Sequence, residues 1–177
     1  MAKILAFAGS NSSTSINYQL VKHTVSLIEK HEVRSLNMAN YPFPMYSEDL
    51  EKEEGYSNSL VELKNDIQRC DALIISVNEH NSNPSAYFKN VLDWLSRLER
   101  KFLLDKKVLL MSASMGKRGG IGSLSVVEAM LPRFGAEITA TFSLPSYAEN
   151  FVPENGITDK ALAQDHSDAL ALFIKTL

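Results

Sequence analysis

The 177-residue sequence predicts one α/β domain, residues 1–177. It is a three-layer sandwich, a five-stranded parallel sheet in the order 2-1-3-4-5 with helices on both faces. Three observations predict it. Apolar runs alternate with amphipathic stripes from end to end, at spacings that fit helical crossovers. Several of those runs are apolar throughout, the mark of strands buried on both faces. The loops richest in small polar residues follow runs one, three and four, which this order makes neighbours at one sheet edge.

The elements follow in order. KILAFAG (3–9) is the first buried run. After a serine-rich loop, Ile16, Leu20, Thr24, Leu27 and Ile28 fall at helical spacing, with Lys22, His23 and Glu29 between them. EVRSLNM (32–38) alternates weakly, as an edge strand does. YPFPMYSEDLEKEEG (41–55) is punctuated by Pro42 and Pro44 and ends in an acidic run, so it reads as an exposed loop with a solvated charged face. Leu60, Leu63 and Ile67 mark a second helix, and DALIISV (71–77) a third strand. Beyond the polar NEHNSNPS (78–85), Tyr87, Phe88, Val91, Leu92, Leu95 and Leu98 mark a third helix, with Trp94 toward its flank. KKVLLMSAS (106–114) is the fourth strand. Leu124, Val127, Met130, Leu131 and Phe134 make a helix that Gly135 can end. AEITATF (136–142) is the fifth strand, and Leu162, Leu170, Phe173 and Leu177 mark a last helix.

Composition narrows the function. Hydrophobic residues make up 45% and charged residues 22%, as in a soluble fold. The net charge of −3 supplies no field to draw nucleic acid or an anionic membrane, so an anionic ligand must be held by local donors. A single cysteine, Cys70, excludes an internal disulfide and C-x-x-C chemistry, and reads as a buried inert thiol. No metal ligands are assigned. No apolar run approaches the ~18 residues of a membrane span. The opening MAKILAFAGS reads as a first core strand, and a cytoplasmic location is expected.

The three polar loops, 9–15, 78–84 and 113–121, converge where ligands bind open α/β sheets. The first, GSNSSTS, offers backbone N–H groups at a helix start, where the macrodipole favours an anion. Ser10, Ser12, Ser13, Thr14 and Ser15 add hydroxyls, and Gly9 lets the chain turn off the strand. This is phosphate-site chemistry, although one of these residues, Ser15 or Thr14, is also needed simply to cap the helix. The loop is neither a G-x-x-x-x-G-K nor a G-x-G-x-x-G motif. The second loop offers Asn78, Glu79, His80 and Asn81, suited to a flat heteroaromatic ring. The third, SASMGKRGGIG, holds four of the eight glycines and brings backbone close to a ligand, and its Lys117 and Arg118 are candidates to meet a second anionic substrate.

These residues resemble the NAD(P)H-dependent FMN reductases of the flavodoxin-like superfamily, relatives of the chromate, quinone and azo-dye reductases. That family opens with G-S-x-R-x-x-S-x-N, matched by Gly9, Ser10, Ser15 and Asn17. Its P-E-Y-N signature is matched by Glu79 and Asn81, and FKNVLDWLSR (88–97) matches the helix that follows. Its S-S-M-G-x-x-G-G is matched by Ser114, Met115, Gly116, Gly119 and Gly120, with Ala113 in the first position.

The resemblance implies FMN as the bound cofactor and NADPH or NADH as electron donor, with a ping-pong hydride transfer through flavin N5. Ser10, Ser15 and Asn17 would hold the phosphate, with Gly9, Ser12 and Ile16 completing that loop's set. Asn78, Glu79, His80 and Asn81 would line the isoalloxazine, and Ser114, Met115, Gly116 and Gly119 would close the site. No catalytic side chain is implied. The partner would be a small-molecule electron acceptor, not nucleic acid or membrane, and the assembly a homodimer or homotetramer, with Trp94 and Arg97 at the contact. The motif's arginine is Ser12 here, its proline Asn78 and its tyrosine His80. A hydroxyl cannot replace arginine's bidentate grip, so weaker FMN affinity is expected, or a phosphate held by hydroxyls and the helix terminus alone. Two other readings share the fold. A flavodoxin-type electron carrier needs an acidic docking face and aromatics on both sides of the flavin, and neither is visible. A member that has lost FMN would act as a binding module.

Overall fold

The computed structural model describes residues 1–177. Five parallel strands form the sheet: β1 (Lys3–Ala8), β2 (Glu32–Leu36), β3 (Ala72–Val77), β4 (Lys107–Ala113) and β5 (Glu137–Leu144). Their order is 2-1-3-4-5, as expected. Phe7 of β1 lies between Leu36 of β2 and Ile75 of β3, which fixes the register at the switch point. The longer helices are α1 (Ile16–Ser26), α2 (Glu48–Glu54), α3 (Asn58–Arg69), α4 (Ala86–Leu98), α5 (Ile121–Met130) and α6 (Lys160–Lys175).

Side chains alternate across each strand and so build two cores. Leu5, Phe7, Leu73, Ile75, Val108 and Leu110 pack against α3, α4 and α5. Ile4, Ala6, Ile74, Leu109, Met111 and Phe142 pack against α1 and α6. The central strands are buried along almost their whole length, which is why they read as unbroken apolar runs. In the second core His166 of α6 is 2% exposed and meets the Thr24 hydroxyl at 2.8 Å. Burial, aided by neighbouring His23, pushes its pKa down to about 4. Cys70 is buried, and desolvation pushes its thiol up to about 11, in keeping with an inert side chain.

The segment 41–55 departs from expectation. It is not a plain exposed loop, because its acidic run forms α2, capped by the Ser47 hydroxyl. The segment is strapped onto α4. Asn90 accepts from the Tyr46 amide at 2.7 Å and donates to the Pro44 carbonyl at 2.9 Å, and the Trp94 indole N–H donates to the same carbonyl at 2.8 Å. Glu51 accepts from Tyr56, Tyr46 and Arg97 at 2.6, 2.9 and 2.9 Å. Those donors, the Tyr56 hydroxyl first, hold its carboxyl down at about 2. Trp94 is therefore 3% exposed beneath the strap, edge-on to Tyr46 and Tyr56. It is a core residue rather than part of an exposed contact.

Candidate functional site

The loops after β1, β3 and β4 close around a cavity of about 290 Å³ at the carboxyl edge of the sheet. From the first loop it is lined by Ser10, Ser12, Ser15, Ile16 and Asn17, from the second by Asn78, Glu79 and His80, and from the third by Ser114 and Met115. Thr14, one of the hydroxyls of the first loop, also lines it, as does Ala113, which the sequence does not single out for the cofactor.

The first loop is arranged for an acceptor-rich ligand. Ser15 caps α1, its hydroxyl accepting from the Tyr18 amide at 3.2 Å. The Gln19 amide already bonds to the Ser15 carbonyl. The amides of Ile16 and Asn17, the first two of the helix, have no partner in the chain, as helix geometry dictates. Around them the hydroxyls bond only locally, with Ser12 and Thr14 at 3.2 Å and the Ser12 amide to Ser10 at 3.3 Å. No acidic residue lies in the first turn to compete for the dipole.

Asn17 itself is not a free ligand. Its side chain is 1% exposed and fully engaged: Oδ1 accepts from the Ala113 amide at 2.9 Å and the Ser76 hydroxyl at 2.7 Å, and Nδ2 donates to the Ala113 carbonyl at 3.1 Å. It ties α1 to the ends of β3 and β4, and its backbone N–H is left without a partner. Ser76, a lone hydroxyl inside an apolar run, was the sequence signal for this tie. Gly9 does not line the cavity. A Cβ there would meet the Phe88 ring at 2.7 Å, so the glycine serves the packing of α4.

The second loop is a two-residue ribbon, Glu79–His80 against Asn83–Pro84. Asn81 sits at its tip with φ of 53° and does not line the cavity. Glu79 Oε2 accepts from the Ser123 amide at 2.9 Å, so the carboxylate caps α5. The Ser123 hydroxyl donates to the Asn78 carbonyl at 2.9 Å, fastening the ribbon to the same helix. Asn78 Nδ2 lies 3.1 Å from His80 Nε2, and its Oδ1 is buried without a partner.

In the third loop Gly116 and Gly119 also stand outside the cavity wall. They form the base of a tight turn, with the Gly119 amide donating to the Gly116 carbonyl at 3.2 Å. Gly119, at φ of 61°, has no room for a side chain beside Ser143. Two concavities are larger, an open groove of about 490 Å³ along the edge strand β5 and one of about 410 Å³ between α1 and α6. Neither gathers unpartnered amides at a helix start.

The chain is 27% identical to an NAD(P)H-dependent FMN reductase of Pseudomonas aeruginosa over 99% of its length and 96% of that protein. It is 38% identical to a quinone reductase of Escherichia coli (strain K12) over 77 residues, which is 44% of this chain and only 41% of that protein. Its fold matches that of a flavoenzyme NAD(P)H:(acceptor) oxidoreductase from Paracoccus denitrificans with a TM-score of 0.80 at 22% identity, covering 99% of this chain and 96% of the other. The sequence profile of NADPH-dependent FMN reductases matches residues 2–149, from the first strand through the turn after the last. The chain belongs to the NADPH-dependent FMN reductase family.

Proposed function

We propose that this protein is an FMN-dependent NAD(P)H oxidoreductase that passes electrons from NADPH or NADH to a small-molecule acceptor such as a quinone or a free flavin. The observation that carries the reading is the pair of unpartnered amides at Ile16 and Asn17, opening into a cavity walled by all three polar loops. These groups fit a phosphate ester at one end, and the buried, partnerless Asn78 Oδ1 fits a ligand that brings its own donor at the other. FMN held by these residues would supply two-electron hydride chemistry at its N5 between the nicotinamide donor and the acceptor, in ping-pong order.

The chain's own residues bind and orient. The Ile16 and Asn17 amides, with the hydroxyls of Ser10, Ser12 and Ser15, hold the phosphate against the positive end of α1. Asn78, His80 and the ribbon backbone bound the ring side, while Ser114 and Met115 close the opposite wall. Glu79 is committed to the start of α5, so no carboxylate stands ready as a general acid or base. The role of the protein is to present one face of the ring and to keep water from the rest. The reading includes a cytoplasmic homodimer or homotetramer without nucleic-acid or membrane partners. No helix is long and apolar enough to cross a membrane.

The visible spectrum of the purified protein, with and without added FMN, tests this. Bound oxidised flavin that bleaches with NADPH or NADH and recovers with a quinone is the expected result. A protein that takes up no FMN, or holds flavin that neither donor bleaches, would overturn it.

A further inference from the structure

The charges at the carboxyl edge of the sheet are unevenly placed. The segments at that edge are 9–15, 37–47, 78–85, 114–120 and 145–159. Among all of these residues the only lysine and the only arginine are Lys117 and Arg118. The remaining formal charges there are acidic: Glu79, Glu149, Glu154 and Asp159. No lysine or arginine lines the cavity itself. Every ion pair of the molecule lies elsewhere, from Arg34–Asp66 to Lys107–Glu137, so neither cation of the turn is neutralised.

The turn that carries them is built to stay in place. Lys117 and Arg118 are its two central residues, closed by the Gly119 amide on the Gly116 carbonyl. The Gly116 carbonyl also accepts from the Ser146 amide at 3.0 Å and the Ser114 hydroxyl at 3.2 Å. The Gly119 carbonyl accepts from the Ser112 and Ser143 hydroxyls at 2.7 and 3.0 Å. Both ends of the turn are thus fixed to the ends of β4 and β5. Met115, directly before it, lines the cavity. The turn that carries the two cations therefore follows directly on the cavity wall.

A ligand that uses both places has its reacting end in the cavity and an anionic group reaching out over the rim. A nicotinamide donor has that shape, and NADPH differs from NADH by one phosphate monoester remote from the nicotinamide. We infer that the Lys117–Arg118 turn selects the donor by holding that phosphate, so that the protein prefers NADPH to NADH. This rests on the reductase reading. Arginine supplies a forked grip and lysine a point charge, both suited to a phosphate dianion and indifferent to the hydroxyl that replaces it in NADH.

The test uses the FMN-loaded protein, a quinone acceptor and the double variant Lys117→Ala/Arg118→Ala. The KM for NADPH should rise about tenfold, with the KM for NADH and both kcat values within about twofold, as expected for lost charge-assisted contacts. The exchange Lys117→Arg/Arg118→Lys should keep most of the preference. Raising salt from ~0.05 to ~0.5 M should erode it in the wild type and not in the double alanine variant. Calorimetric titration should show 2′,5′-ADP binding more tightly than 5′-AMP to the wild type, and no such difference in the variant. Equal changes with both donors, or none, would overturn the inference and leave the reductase reading standing. A wild type that oxidises neither donor would overturn both.

Discussion

Two polar segments leave neighbouring strands at the same edge of the sheet and meet opposite fates. The strap after β2 is rich in tyrosine, asparagine and glutamate, and it uses what it has. Tyr46, Asn90, Trp94 and Pro44 bond to one another, Tyr87 donates to the Tyr41 carbonyl at 2.8 Å, and Glu51 takes three donors. The loop after β1 is as polar, yet apart from the Ser15 cap on Tyr18 its hydroxyls bond only within the loop, and two amides of α1 bond to nothing. Polarity alone therefore does not mark a site. What marks it is hydrogen-bonding capacity left over after the fold is satisfied, because buried structure leaves little of it unpaired.

The contrast can be broken from either side. The largest effect is expected from Trp94→Ala. Deleting a buried indole and its bond to Pro44 should cost about 3–5 kcal/mol of stability in denaturant unfolding, with FMN affinity of the folded fraction unchanged. A change in affinity without a loss of stability would show that the strap belongs to the site. Asn17→Ala comes next. It strips partners from Ser76 and Ala113, at about 2 kcal/mol, whereas Ser12→Ala should stay within about 0.5 kcal/mol, as for a surface position. Equal, small effects would mean that Asn17 is a ligand after all. Ser12→Arg restores a cation to the cradle and should tighten FMN about tenfold, near 1.4 kcal/mol, in a fluorescence titration. No tightening would show that the amides already saturate the phosphate.

The smallest effect concerns acid. Glu51 is held at about 2, below its ordinary 4.5, so its contribution is present above 4.5 and disappears as pH falls toward 2. Glu51→Gln should flatten that limb of the acid-unfolding curve. The cradle, with no carboxylate in its first turn, should show no matching limb when its serines are replaced.

The sheet order and the convergence of three loops were legible because buried parallel strands and small polar loops leave strong local patterns. A hydroxyl cap at Thr14 or Ser15, which the structure gives to Ser15, and Gly135 as terminator, at φ of 103°, follow from residue type and position. The tie made by the Asn17 side chain is not legible in the sequence, because its partner Ala113 lies 96 residues away. The strap was hidden for the same reason. The acidic run of α2 looks solvated until Arg97 and two tyrosines fold back onto Glu51. Asn81, Gly9, Gly116 and Gly119 match a motif, and the structure gives Gly9 and Gly119 close packing, Gly116 a place in the tight turn and Asn81 a hairpin tip. Motif letters record what a loop needs in order to exist as well as what it touches.

The most direct test of the account is a parallel titration of the apoprotein with FMN and with riboflavin, followed by flavin fluorescence. If the free amides at the start of α1 hold a phosphate, FMN binds at least about tenfold more tightly than riboflavin, the worth of one or more charge-assisted hydrogen bonds. Equal affinity for the two flavins, or none for either, would contradict the claim that the leftover donors of Ile16 and Asn17 are the reason this edge of the sheet is a site.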